Sequence, residues 1–187
     1  MFRTALFAAL LLTTLTVNAQ AQQTFYIEVQ NVVHKSDITP QVDVYSTKKF
    51  NDSLGIFAWL LIGQQWSEGL VGVMYTPKNW LELGLGYGLE HDENPGRYVG
   101  QIVLVHGPAS LAIIGENGGS GSWYKIEGLV DLRRNFSLGI IGQRFVGLGP
   151  ELQFELGKTG LRIWGAPVMY DVEARTTNTL LGLRLKY

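Results

Sequence analysis

The chain contains no cysteine. Disulfides, thiolate catalysis, cysteine-held metals and an acylated cysteine at a processed N-terminus are therefore excluded. It also lacks an excess of either charge. Lys and Arg number 15 against 16 Asp and Glu, a formal net charge of -1, which argues against a nucleic-acid partner. Beyond the first residues, no apolar run free of charges and turn residues reaches the ~20 residues that a membrane-spanning helix needs. No segment carries a convincing 3.6-residue period, and no low-complexity tract or linker marks a domain boundary. Glycine is plentiful, at 23 residues, but it is scattered through apolar segments.

The N-terminus is different in kind. Arg3 precedes an apolar run over residues 5–12, and a stretch of small and polar residues ends in Ala19-Gln20-Ala21. This is the layout of a secretory signal peptide cut after Ala21. The expectation is a cleaved segment 1–21 and a single domain over 22–187. An exported domain without disulfides must close its fold by other means.

The remaining chain reads as strand after strand. In WLELGLGYGLEHD, residues 80–92, Leu81, Leu83, Leu85, Tyr87 and Leu89 share one face, and Glu82, Gly84, Gly86, Gly88 and Glu90 share the other. A period of two is the β signal, and a helix would mix these sets. The same alternation runs through TFYIEVQ, WYKIEGLVDL, ELQFELG and NTLLGLRLKY. Twelve strands are expected: 24–33, 40–47, 53–63, 66–75, 80–90, 97–106, 109–116, 122–132, 136–145, 150–157, 160–171 and 178–187. The second and seventh are weakly patterned, so ten is the alternative count. The spacing suits transmembrane strands of ~9–11 residues joined by short turns.

Two hairpins can be written residue by residue. A tight turn at Gly157-Lys158-Thr159-Gly160 sets Leu156 against Leu161, Glu155 against Arg162 and Phe154 against Ile163. Apolar then meets apolar, and acid meets base. A slip of one residue would destroy all three matches. The turn around Arg133-Arg134-Asn135 likewise sets Val130 against Leu138 and Asp131 against Ser137.

Alternation alone does not say which face meets solvent, because soluble barrels bury the apolar face and membrane barrels expose it. Three features favour the membrane. Even-numbered turns are compact (KKFND, TPKN, HGP, RRN, GKTG), while several odd-numbered loops read as longer or more polar (HKSDITP, HDENPG, ENGGSGS, DVEARTTN). Aromatic residues fall near strand ends, as interfacial rings do. Phe25, Tyr75, Trp80, Phe136 and Tyr187 belong near one rim, and Trp66, Tyr87, Tyr98, Tyr124 and Tyr170 nearer the other. Third, the chain ends on a strand in which Leu181, Leu183, Leu185 and Tyr187 alternate with small or charged residues.

That last segment resembles the C-terminal signature of Gram-negative outer-membrane β-barrel proteins, with Tyr in place of the commoner Phe. At the level of this class, the resemblance extends to the strand pattern and the signal peptide. It implies recognition of Leu181, Leu183, Leu185 and Tyr187 by the barrel-assembly machinery, contact with outer-membrane lipid, and pairing of the last strand with the first. Closure is also a physical requirement, since unpaired backbone groups are intolerable in hydrocarbon. The expected fold is all-β: a closed antiparallel up-and-down transmembrane β-barrel in the cell outer membrane.

The inner face is then polar. Its acids are Glu28, Asp43, Glu82, Glu90, Glu127, Asp131, Glu151 and Glu155, and its bases are Lys125, Arg162, Arg184 and Lys186. Two readings stay open: ion pairs that fill a plugged interior, or a wet, mildly cation-favouring path for small solutes. The expected function is a structural or porin-like role without cofactors. An envelope hydrolase and a soluble periplasmic binding barrel are the alternatives. His34 and His91 lie near acids in outer loops, but adjacency in sequence does not supply a nucleophile and base in reach of one another. No calcium-loop or P-loop spacing is present.

Overall fold

The computed structural model describes residues 23–64 and 66–187, and the signal peptide expected over 1–21 lies outside them. Twelve strands follow in order: β1 Gln23–His34, β2 Asp37–Lys49, β3 Leu54–Gly63, β4 Ser67–Lys78, β5 Leu81–Glu90, β6 Gly96–His106, β7 Ala109–Gly118, β8 Gly121–Arg133, β9 Phe136–Gln143, β10 Gly147–Glu155, β11 Leu161–Asp171 and β12 Thr176–Lys186. Each pairs antiparallel with its sequence neighbours, and β12 returns to β1, so the sheet is a closed barrel. The described residues contain no helix.

The seam follows from matched faces. Ile27 lies opposite Leu185, Glu28 opposite Arg184, and Val29 opposite Leu183. Pairing runs to the last residue: Tyr187 N–H donates to the Phe25 carbonyl at 2.9 Å, and the Phe25 and Tyr187 rings lie 6.2 Å apart. Leaving two such edges unpaired in an apolar medium would cost several kcal/mol per backbone group.

Both hairpins take the register that side-chain matching demands. Glu155 faces Arg162 at 3.4 Å, and Phe154 faces Ile163. Gly157 and Gly160 both take positive φ in the connecting loop, which only glycine adopts without strain. Asp131 faces Ser137 and accepts its hydroxyl hydrogen bond at 2.6 Å. Pro150 and Pro167 each sit where one ladder shifts. The β10–β11 register shifts between Leu148 and Leu152, around Pro150, and the β11–β12 register shifts between Ala166 and Met169, at Pro167 and Val168.

The expected contrast in loop length is absent. Connections on both rims span two to five residues: 35–36, 64–66, 91–95, 119–120, 144–146 and 172–175 on the odd-turn rim, and 50–53, 79–80, 107–108, 134–135 and 156–160 on the even-turn rim. Polar residues expected in loops continue the ladder instead. His34 pairs with Asp37, and Gly118 with Gly121. A polar side chain does not end a strand whose backbone still finds a partner. The β9–β10 turn also lies earlier than expected, with Phe145 at φ 69°.

Burial is inverted relative to a soluble protein. Leu85 is 71% exposed, and Val71, Val73, Leu89, Leu181 and Leu183 are also exposed, while Glu28, Glu68, Glu90, Arg97, Glu116 and Glu151 are buried. Exposed Tyr75, Trp80 and Tyr187 mark the even-turn rim, and Tyr87, Tyr98, Tyr124 and Tyr170 mark the odd-turn rim. Trp66 departs from expectation. It turns inward, and its indole N–H donates to Glu90 at 3.3 Å.

Candidate functional site

The site is the lumen. Its wall is not uniformly polar, as the sequence reading had it. β3 is apolar on both faces and sends Phe57, Trp59 and Leu61 inward, where they cluster with Leu70, Met74 and Val99. A second inward cluster joins Ile141, Val146, Trp164, Ala166, Met169 and Leu180. The inward glycines make room for these large neighbours: a Cβ at Gly84 would meet Gln101, one at Gly86 would meet Phe57 and Val99, and one at Gly182 would meet Trp164.

A charged lattice crosses the barrel between these clusters. Glu28 on β1 accepts from Arg184 across the seam and from the Trp164 indole at 3.1 Å. Lys125 on β8 lies 3.8 Å from Glu28 and 3.6 Å from Glu127. Arg184 on β12 reaches Glu127 at 3.6 Å. β1 and β8 are separated in the ring by β9 to β12 on one side and by β2 to β7 on the other, so these pairs span the lumen. Two further contacts span it: Gln101 on β6 donates to the Tyr45 hydroxyl of β2 at 3.0 Å, and the Trp59 and Trp123 rings of β3 and β8 lie 6.3 Å apart.

Acids outnumber bases around this lattice. Asp43 accepts from the Trp59 indole at 3.1 Å. Gln153 donates to Glu151 at 2.7 Å and to Glu127 at 3.4 Å, so Glu151 joins the lattice through an amide. Glu28, Asp43, Glu127 and Glu151 thus stand against Lys125 and Arg184. The other sequence-derived candidates sit elsewhere. Glu82 pairs with Lys49 at 3.5 Å, and Glu155 with Arg162; both pairs are partly exposed toward the even-turn rim, and Arg162 also donates to the lattice amide of Gln153 at 2.9 Å. Asp131 and Lys186 are exposed on that rim. Glu90 belongs to a second group near the odd-turn rim.

That second group was not anticipated, Glu90 apart. Arg97 is 1% exposed. Its guanidinium donates to Glu116 at 2.6 Å, to Glu90 at 2.9 Å and to the Ser120 hydroxyl at 3.1 Å. Glu68 lies 2.8 Å away, and the Trp66 ring sits 5.2 Å below. Three buried carboxylates thus share one buried cation, and the pairs tie together β4, β5, β6, β7 and the turn at Ser120.

The histidines form no catalytic arrangement among the described residues. His34 shares a 2.8 Å hydrogen bond with Asn178, and His91 and His106 are exposed on opposite rims. No group of three or more His, Cys, Asp or Glu there has the makings of a metal site.

Comparison with known proteins agrees with this architecture. No protein-family model matches the chain, and a search of curated proteins finds no match. Solved structures do match in fold. The KdgM porin aligns with TM-score 0.56 and 13% identity over 87% of this chain and 99% of its own. A KdgM porin in complex with disordered oligogalacturonate aligns with TM-score 0.57, again at 13% identity and the same coverage. The outer membrane protein Omp33 of Acinetobacter baumannii aligns with TM-score 0.53 and 9% identity, covering 89% of this chain and 97% of that one. At such identities the likeness is one of fold: this chain has the closed-barrel architecture of outer-membrane porins.

Proposed function

We propose that this protein is an integral barrel of the bacterial outer membrane, surrounded by lipid, with a porin-like role limited by a narrow charged constriction. The observation that carries the reading is the inverted burial: a belt of exposed Leu, Val, Ile and aromatic side chains encloses buried carboxylates and amides. Apolar patches beyond a few hundred Å² mark interaction surfaces, and a belt around a whole barrel fits hydrocarbon. Its terminal strand would serve the assembly machinery as the class resemblance implies.

The constriction is the lattice of Glu28, Lys125, Glu127 and Arg184, in which charges balance, and the further acids Asp43 and Glu151 beside it tip it toward cations over anions. The oligogalacturonate named with the KdgM porin is an anionic chain. Its ligand class is not carried over, because Glu28, Asp43, Glu127 and Glu151 would repel it. Planar-bilayer recording tests the reading. The wild type should show small, cation-preferring conductance. Lys125→Ala should raise the conductance and strengthen the cation preference, because it removes both a cross-lumen bridge and a positive charge. Absence of conductance from both proteins in a lipid-inserted state would favour a purely structural barrel, a reading supported by the Trp59–Trp123 contact across the lumen.

A further inference from the structure

We infer that the outward face of β8, β9 and β10 at the even-turn rim holds a seat for one anionic phospholipid. The inference rests on the membrane reading above. A groove of about 540 Å³ there is lined by Leu132, Arg133, Asn135, Phe136 and Phe154. Its walls are apolar: Leu132 and Phe154 are exposed on the lipid-facing parity, and the Phe136 and Phe154 rings pack at 4.7 Å. Its polar end is the β8–β9 turn, where Arg133, Arg134 and Asn135 are all exposed.

Neither arginine has a side-chain partner among the described residues. This contrasts with the buried Arg97 and the lattice Arg184, whose guanidiniums are held by carboxylates. The groove therefore offers an acyl-sized apolar trough lined at its polar end by the Arg133 guanidinium, with exposed Arg134 next to it in the turn, at the depth where interfacial aromatic rings sit. A guanidinium binds a phosphate through paired N–H donors. Free phosphate would leave the apolar walls unused, whereas a phospholipid matches both halves of the groove.

The test uses the protein reconstituted in phosphatidylcholine bilayers with spin-labelled phosphatidylglycerol or phosphatidylcholine at trace level. Electron paramagnetic resonance reads the fraction of label immobilised on the protein. Phosphatidylglycerol should associate more strongly, and each of Arg133→Gln and Arg134→Gln should reduce that preference about five-fold. Lys78→Gln, on another turn of the same rim, should leave it unchanged. Phe154→Ala should weaken retention of the label while leaving the barrel folded, since the ring is on the exposed face. Equal association of the two lipids overturns the inference, as does an equal response to Lys78→Gln. Displacement of the label by inorganic phosphate overturns the lipid assignment. Failure of the protein to enter bilayers at all overturns the membrane reading beneath it.

Discussion

Removing the charge of Arg97 should be among the most damaging single substitutions in the barrel. In Arg97→Met the side-chain volume is roughly kept, but Glu68, Glu90 and Glu116 lose their shared cation in a site where all four side chains are at most 1% exposed. Breaking a buried ion pair from one side costs about 3–5 kcal/mol, and three acids share this partner. The partly exposed Glu155–Arg162 pair supplies the control: Glu155→Gln should cost ~0–1 kcal/mol, because water screens both charges already. Urea unfolding in lipid vesicles, followed by tryptophan fluorescence, measures both. The triple variant Arg97→Met, Glu68→Gln, Glu116→Gln should recover much of the loss, since neutral amides need no counter-charge. A loss below about 1 kcal/mol for Arg97→Met, or no recovery in the triple variant, would refute the reasoning.

Leu85→Arg places a charge on the lipid face and should cost ~2–4 kcal/mol near the bilayer midplane; an equal cost for Leu85→Ala in the same unfolding assay would contradict that placement. Cysteines at 27 and 185, which face one another across the seam, should crosslink in the folded protein and not in the unfolded one. Deleting Tyr187 should slow assembly more than deleting Ala174 from the β11–β12 turn, because Tyr187 bonds Phe25 at the end of the closing strand; heat-modifiable gel mobility reads the folded fraction.

The strand pattern and the seam were legible in the sequence because both depend on period-two faces and on local or end-to-end register. Glu155 against Arg162 follows from counting residues across a tight turn, whereas at the seam the sequence offers only matched faces and opposite charges, and the register of Glu28 against Arg184 comes from the structure. The lattice did not follow. Lys125 reaches Glu28 across four intervening strands, and such contacts depend on the tilt and stagger of the whole barrel. The Arg97 group was hidden for another reason. Inward residues of β6 read Arg97, Val99, Gln101 and Val103, and those of β4 read Glu68, Leu70, Gly72 and Met74. Both faces of these strands are rich in apolar residues, so parity alone did not assign an inside. β3 is more ambiguous still, with Phe57, Trp59 and Leu61 inward against Ile56, Leu60 and Ile62 outward. A lone Glu at the start of β4 and a lone Arg at the start of β6 were the available signals. The loops misled because HKSDITP and ENGGSGS are polar in side chain yet paired in backbone.

In a membrane barrel the apolar face of the sheet meets lipid. Spin labels at Leu85→Cys and Glu82→Cys, on the protein reconstituted in bilayers, test this most directly. Leu85 projects outward from β5, and Glu82 faces inward beside Lys49. Oxygen, which concentrates in hydrocarbon, should relax the label at 85 more than the label at 82, and a water-soluble nickel chelate should do the opposite. The reverse order, or equal accessibility to the nickel chelate at both positions, would contradict a membrane barrel.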